Sequence, residues 1–236
     1  MNRSTAPGIL PPAASNTEPG RCFAEAHQRS VGADDDSWQR VPAYELTPTP
    51  KQCQPCEPGA VRFGWRQDAL IARFEFVDEY VMSAATSNNQ WHYELGDTAE
   101  WFLKPVGRPY YWEFYATPNA FVSAMRWPGG SRRGFDPWED SSAVSIETGP
   151  LQDLGDLEAV RIATKARKGW WAELTIDAAL LRSKGDLLGP GSHWETLAAR
   201  YNHSIANDPG PQLSCFPTLA RADFHQTHAY AILDWR

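Results

Sequence analysis

Residues 96–126 read GDTAEWFLKPVGRPYYWEFYATPNAFVSAMR, and this stretch gives the clearest indication of the fold. Three segments in it, Thr98–Leu103, Tyr110–Ala116 and Phe121–Arg126, have the aromatic and β-branched composition of strands. Short turn-forming segments separate them. Successive short strands with turns between them predict antiparallel pairing.

The same pattern continues along most of the chain. Val61–Trp65 and Leu70–Val77 predict one hairpin, and Glu158–Ala166 with Trp170–Ile176 predict a second. Further strands are predicted at His193–Tyr201 and Tyr230–Trp235, and one or two helical turns at Asp177–Ser183. We therefore expect an all-β protein, an antiparallel β-sandwich of jelly-roll type with little helix.

The domain organisation follows from composition. Residues 1–36 are predicted to form a flexible N-terminal arm, and residues 37–236 one β-sandwich domain. The first 20 residues are rich in Pro, Ala, Ser and Thr, and no charged segment leads into a continuous apolar one, so no signal peptide is expected.

Composition also excludes several classes of partner. Hydrophobic residues make up 42% of the chain, enough for a core, and the net charge of −7 argues against nucleic acid. No apolar run approaches the length of about 20 residues that a membrane span needs. The chain has 11 tryptophans, most of which we expect in the core. A few exposed ones would suit the flat, partly apolar rings of sugars.

The sequence contains no strong motif for catalysis or for metal binding. The chain lacks a nucleophile elbow, HExxH, a phosphate loop and a dinucleotide glycine pattern. Glu100 with Asp97, or Glu113 with Glu173, are the candidate carboxylate pairs for glycoside hydrolysis. However, residues three apart on a strand, such as Asp97 and Glu100, point to opposite faces.

The four cysteines do not form a strong metal motif. Cys53 and Cys56 have zinc-knuckle spacing, but no second CxxC or CxxH follows them. Free thiols or a local disulfide are favoured over zinc.

Four blocks of sequence are weak patterns when taken singly. Their order and spacing along the chain together form a fairly specific pattern. The blocks are Phe76–Asp78 with Trp91 and Gly96–Pro105, then Tyr110–Phe114 with Pro118 and Asn119, then Gly169–Ile176, and last Trp194 through Arg200, Asn202, Leu213 and Ser214 to Asp223–His225. Together they cover about residues 36 to 236 and resemble the family 9 carbohydrate-binding modules, within the DOMON-like β-sandwich superfamily.

The resemblance implies a site that grips a sugar, often a chain end, between two aromatic side chains. The residues it implies for carbohydrate binding are Trp91, Glu100, Tyr115, Asn202 and Phe216. Glu100 matches a carboxylate beside the sugar, Trp91 one aromatic platform, and Asn202 a hydrogen-bonding amide. A pyranose has apolar C–H faces that suit an aromatic ring, and hydroxyls that need polar partners.

Two departures from the family pattern affect this site. Cys215 and Phe216 stand where sugar-gripping members carry the second tryptophan, so Phe216 becomes the candidate platform. Tyr115 stands where an arginine would hold the sugar. The usual specificity is therefore in doubt, and a structural or adaptor domain with a decayed sugar cleft is one alternative.

The sequence also leaves open whether the protein binds a metal ion or a cofactor. The resemblance makes Asp78 and Asp97 candidate calcium ligands, since loop carboxylates suit that ion, but both residue types also cap turns. A haem-binding DOMON-like sandwich is a further alternative, with Met82, Met125 and several histidines available as axial ligands. No CxxCH occurs, which excludes covalent c-type haem.

The resemblance thus implies a non-catalytic carbohydrate-binding module that is associated with polysaccharide breakdown and accompanies glycoside hydrolases. We expect a monomer, and an extracellular or periplasmic location that follows from the predicted sugar binding alone.

Overall fold

A computed structural model of the chain describes residues 21–26, 38–49, 57–151, 163–165, 169–203 and 210–236. These residues form fourteen β-strands and one short α-helix. The strands are β1 (Arg21–Ala26), β2 (Tyr44–Pro48), β3 (Gly59–Arg66), β4 (Ala69–Phe76), β5 (Tyr80–Met82), β6 (Thr98–Pro105), β7 (Tyr110–Ala116), β8 (Val122–Pro128), β9 (Val144–Pro150), β10 (Ala163–Lys165), β11 (Trp170–Asp177), β12 (Trp194–Asn202), β13 (Gln212–Phe216) and β14 (Ala231–Trp235), and the helix is α1 (Ala178–Arg182). The prediction of an all-β protein with little helix is confirmed.

Two of the local predictions are also confirmed. β3 and β4 form the predicted hairpin, with Val61 opposite Phe74. The helical turn expected after Asp177 is α1, and the Asp177 carboxylate caps it by accepting a hydrogen bond of 2.7 Å from the backbone N–H of Ala179.

Twelve of the strands form one sheet that closes on itself. Its order is β8-β7-β6-β12-β13-β2-β3-β4-β11-β9, and β1 joins β3 to β14, which pairs with β12. The six strands β12, β13, β2, β3, β1 and β14 therefore make a closed ring. Two three-stranded extensions leave this ring, β6-β7-β8 on one side and β4-β11-β9 on the other.

β1 corrects two predictions. It pairs in parallel with both β3 and β14, so the sheet is not purely antiparallel. It also lies inside the predicted flexible arm, yet Cys22 and Ala24 are fully buried in the core. The strand is held because it fills the gap between two other strands and covers apolar surface. The rest of the predicted arm, residues 1–20 and 27–36, lies outside the described residues.

The second predicted hairpin is wrong. Ala163–Lys165 pairs with Tyr80–Met82 in a separate two-stranded sheet. β11 instead pairs along its length with β4 on one side and with β9 on the other. With both edges taken, β11 has no free edge for the preceding segment.

The main core lies between the two halves of the sheet. Phe63 of β3 and Trp101 of β6 stack with ring centroids 5.6 Å apart, although their strands are not neighbours in the sheet. Trp170 joins this inner cluster, 4.9 Å from Phe76. Because side chains alternate along a strand, the neighbouring residues must point to the outer face.

A second buried cluster covers the outer face of β6, β7, β8 and β12. It contains Phe102, Tyr115 and Met125 from the strands, and Phe224 and Tyr230 from the segment that follows β13. This covering segment and the loop before β6 create the walls of the site described next. In the part of the chain that the structure describes, no helix has the length and hydrophobicity needed to cross a membrane.

Candidate functional site

A cleft of about 400 Å³ opens on the outer face of β6, β7 and β12. Of the residues predicted from sequence, Trp91, Glu100 and Tyr115 line it. Asn202 and Phe216 do not.

The strand register explains the floor of the cleft. Glu100 of β6 lies opposite Tyr115 of β7, and Phe102 lies opposite Glu113. Glu100 and Glu113 are thus diagonal neighbours on the same face of the sheet. Both are buried, with 2% and 1% of their surface exposed.

This pairing differs from the carboxylate pairs considered from the sequence. Asp97 faces away from Glu100, as expected for residues three apart on a strand. Glu173 lies on the other half of the sheet, where Glu173 Oε2 accepts a hydrogen bond of 2.8 Å from Trp38. Residue spacing along one strand carries no information about Glu100 and Glu113, which meet only through strand pairing.

Both oxygens of Glu113 have protein partners. Oε1 accepts a hydrogen bond of 2.5 Å from the Tyr115 hydroxyl, and Oε2 accepts one of 2.5 Å from Trp127 Nε1. Burial raises the pKa of Glu113 to about 7, although these two hydrogen bonds oppose the rise. Glu113 is therefore a fixed structural carboxyl that changes charge near neutral pH.

We expect the indole N–H proton resonance of Trp127 to titrate with a midpoint at about pH 7. As the pH rises through this value, Glu113 loses its proton and the indole donates to a full negative charge, which strengthens the hydrogen bond. NMR spectroscopy over a pH series measures it. Trp101, whose indole donates to Thr196 instead, serves as an internal control.

The Glu113→Gln variant should abolish the titration of Trp127. A midpoint near 4.5, the ordinary value for a glutamate, would contradict the description of Glu113 as a desolvated group.

Glu100 differs from Glu113 because it has no partner. Among the described residues, Glu100 makes no hydrogen bond and no ion pair. Burial, and then repulsion from Glu113, raises the pKa of Glu100 well above its ordinary value. A buried carboxyl without a hydrogen bond is unfavourable in a finished site. Its position in the lining of the cleft leaves it open to a ligand.

Six aromatic side chains line the cleft around this floor. The ring centroids are separated by 6.1 Å from Trp127 to Trp91, 6.2 Å from Trp91 to Tyr93, 5.2 Å from Tyr93 to Tyr201, 5.6 Å from Tyr201 to Phe224, and 6.0 Å from His225 to Trp127. We call these six side chains the aromatic rim. Trp91 is partly exposed and is backed by Trp138 at 4.7 Å, so it is held in place yet accessible to a ligand.

Charged groups above the rim complete the site. The guanidinium of Arg132, on the exposed segment after β8, lies 5.6 Å from the Trp127 ring centroid. Burial, and then Arg132, lowers the pKa of His225 to about 4, so its imidazole is neutral at pH 7. The Tyr111 hydroxyl and His225 Nδ1 are 2.8 Å apart. Sequence reasoning did not identify Arg132, since nothing local distinguishes it from any exposed loop arginine.

Asn202, which was predicted to bind carbohydrate, does not lie in the cleft. Its amide oxygen accepts a hydrogen bond of 2.8 Å from Arg200, and its amide nitrogen donates one of 2.9 Å to Glu57. The reason is alternation along β12, which places Tyr201 in the cleft and its neighbour Asn202 on the opposite face.

Phe216 also lies outside the cleft, because side chains alternate along its strand. Its ring packs on Tyr44 at 4.7 Å, against the inner core. Leu213, three residues earlier on β13, faces the cleft. Phe224, from the segment that follows β13, supplies an aromatic side chain to the lining of the cleft.

Asp78 and Asp97 are engaged by the protein. The Asp78 carboxylate accepts hydrogen bonds of 2.9 Å from Arg200 and 2.9 Å from the backbone of Tyr80. Asp97 accepts from the backbone N–H groups of Met82, at 2.5 Å, and His203, at 2.7 Å. Each of the four oxygens therefore accepts one hydrogen bond from the protein, and calcium binding by Asp78 and Asp97 stays a prediction.

The described residues contain no group of three or more His, Cys, Asp or Glu side chains that could hold a metal ion. Cys22 and Cys215 are buried free thiols, whereas Cys53 and Cys56 lie outside the described residues.

Comparison with solved structures identifies similar folds. A protein from Bacteroides uniformis ATCC 8492, proposed to bind carbohydrate, superposes with a TM-score of 0.73 at 11% identity, over 92% of this chain and 99% of that one. A family 9 carbohydrate-binding module from Caldicellulosiruptor kristjanssonii in complex with cellotriose gives 0.62 at 13% identity, over 92% and 93% of the two chains. The complex of a family 9 module from the same organism with glucose gives 0.61 at 13% identity, over 92% and 95%.

Sequence comparison adds no closer relative: no family model matches the chain, and no curated protein matches it. The fold of this chain is nevertheless that of the family 9 carbohydrate-binding modules.

Proposed function

We propose that the protein is a non-catalytic carbohydrate-binding module, a β-sandwich of jelly-roll type that holds a saccharide in the cleft between Trp91 and Glu100. The observation that carries this proposal is Glu100, a carboxyl that is 2% exposed, lines the cleft and has no hydrogen-bond partner among the described residues. A saccharide presents several hydroxyl donors at the edge of its ring, which is the chemistry that such an acceptor needs.

The aromatic rim provides the second half of the recognition. The partly exposed ring of Trp91 offers a flat face to the apolar C–H surface of a sugar. The cleft volume of about 400 Å³ lies within the range of small-ligand sites. Arg132 and Asp223 at its mouth add a donor and an acceptor for further hydroxyls.

Binding is favoured over hydrolysis by the state of the carboxyl pair. Glycoside hydrolysis needs two carboxyl groups that are free to exchange protons or to attack the sugar. Both oxygens of Glu113 are already hydrogen-bonded, to Tyr115 and Trp127. Only Glu100 is available to a ligand, so the pair lacks the second reactive group.

The wider biological setting follows from the proposed ligand. A module that grips a saccharide serves polysaccharide breakdown by holding an associated glycoside hydrolase at its substrate. This role places the protein outside the cell or in the periplasm. One cleft per chain is sufficient, so a monomer is functional.

A glycan array followed by isothermal titration calorimetry tests the proposal. Trp91→Ala and Glu100→Gln should each weaken saccharide binding about tenfold or more, equivalent to about 1.4 kcal/mol. The first removes the stacking face, and the second replaces the carboxyl group by an amide of the same shape.

Glu147→Gln provides the matched control, since Glu147 is exposed on β9, at the other end of the strand order. Circular dichroism should show that each variant is folded. Unchanged affinity in both cleft variants would place the saccharide elsewhere, and wild-type protein that binds no glycan would favour a decayed cleft.

A further inference from the structure

Among the described residues, the lining of the cleft has more carboxyl groups than cationic groups. It includes three carboxyl groups, Glu100, Glu113 and Asp223, and one guanidinium, that of Arg132. The imidazole of His225, also in the lining, is neutral at pH 7. If every carboxyl group were ionised, the lining would carry a net charge of −2 (three negative charges against one positive).

The one cation does not compensate all three carboxyl groups equally. Arg132 stabilises the ionised form of Glu113, whose pKa it lowers. It has no such effect on Glu100, whose pKa is set by burial and by repulsion from Glu113. Glu100 is thus the carboxyl group in the cleft whose ionised form no described cation stabilises.

A neutral sugar would leave Glu100 protonated, since burial and Glu113 raise its pKa well above the ordinary value. The sugar hydroxyls hydrogen-bond to a carboxyl group but bring no charge that would favour its ionised form. A buried anion is stable when it is paired with a cation. A ligand that carries a positive charge supplies what the protein side chains do not.

The aromatic rim favours the same kind of ligand. Trp91, Tyr93, Tyr201 and Trp127 surround the carboxyl floor with electron-rich ring faces. Such rings attract an ammonium group through cation–π interaction, most strongly when water is displaced. The rim and the carboxyl floor therefore act together on a cation, whereas only stacking and hydrogen bonds act on a neutral ring.

We infer that the preferred ligand is an amino sugar, whose protonated amine lies against Glu100 inside the aromatic rim. This inference rests on the proposed function and makes it more specific. A saccharide of glucosamine units has the required chemistry, because it combines a pyranose face for Trp91 with an ammonium for Glu100.

A change in protonation should accompany binding. Before binding, Glu100 holds its proton well above the ordinary pH range of a glutamate. An ammonium beside it favours the carboxylate, so the Glu100 proton passes to the buffer as the ion pair forms. Binding of a neutral sugar creates no such ion pair and should release fewer protons.

The test compares three trisaccharides that differ only in the group at one carbon of each ring. They are cellotriose with a hydroxyl, chitotriose with an acetamide, and fully deacetylated chitotriose with an amine. Titration calorimetry at pH 6, where the amine is charged, should show the deacetylated trisaccharide binding at least tenfold more tightly than cellotriose. Titration in two buffers of different ionisation enthalpy should show net proton release for the amine alone.

Glu100→Gln should remove both the preference and the proton release, while Glu147→Gln should leave both unchanged. The inference would be overturned if cellotriose bound as tightly as the deacetylated trisaccharide or more tightly, or if Glu100→Gln kept the preference for the amine. Either result would leave saccharide binding itself intact. Failure of all three trisaccharides and of every glycan on an array would instead reject the proposed function itself.

Discussion

Trp170→Ala is expected to lower the free energy of unfolding by about 3–5 kcal/mol. Trp170 is fully buried in the inner core, where it packs on Phe76 at 4.9 Å. Truncation leaves a cavity between the two halves of the sheet, and the surrounding aromatic side chains are too large to rotate into it. Urea denaturation followed by circular dichroism measures the loss.

Two variants control this prediction. Trp170→Phe keeps a ring and removes an indole N–H that has no hydrogen-bond partner among the described residues, so it should cost much less. Trp171→Ala acts on the opposite face of β11, where the Trp171 ring lies 3.7 Å from the Arg73 guanidinium carbon. Water can reach that face after truncation, so its loss should be smaller than that of Trp170. Equal losses at the two positions would contradict the assignment of Trp170 to the inner core.

Arg200→Leu is expected to destabilise the protein by about 3–5 kcal/mol, the usual cost of removing one partner from a buried ion pair. Arg200 is 1% exposed and donates hydrogen bonds to Asp78 at 2.9 Å, to Asn202 at 2.8 Å and to the Val77 carbonyl at 3.0 Å. Without it, the Asp78 carboxylate is left buried and faces the nearby carboxyl of Asp97.

The double variant Arg200→Leu with Asp78→Asn distinguishes the ion pair from simple packing. Removal of the orphaned charge should recover at least about 1 kcal/mol relative to Arg200→Leu alone, as in a coupled double-mutant cycle. Denaturant titration of the wild type, both single variants and the double variant gives the coupling energy. Strictly additive losses would show that the two side chains do not act as a pair.

Local sequence composition predicted the strands that are rich in aromatic and aliphatic residues. The hairpin of β3 and β4 and the strands β6 and β7 are examples, and nearly all of their residues are buried, on both faces. β1 was missed because only its burial between β3 and β14, which lie far away in the sequence, makes it a strand. The partner of β11 was assigned wrongly for the same reason.

The candidate site shows the same division. Trp91, Glu100 and Tyr115 were found because local motifs mark them, and all three line the cleft. Asn202 and Phe216 lie outside the cleft, because a shift of one residue along a strand moves a side chain to the other face.

The residues that sequence reasoning missed enter the cleft through long-range contacts. Glu113 reaches it through pairing of β6 and β7, Arg132 through the segment after β8, and Phe224 through the segment after β13. Each depends on three-dimensional placement that no spacing along the chain reveals.

A crystal structure of the protein with its best-bound saccharide tests the central claim most directly. The account predicts a sugar ring inside the aromatic rim, stacked on Trp91 and within hydrogen-bond distance of Glu100. A saccharide bound on another surface, such as the open depression of about 510 Å³ between Arg21 and Trp235, with the cleft empty, would contradict it.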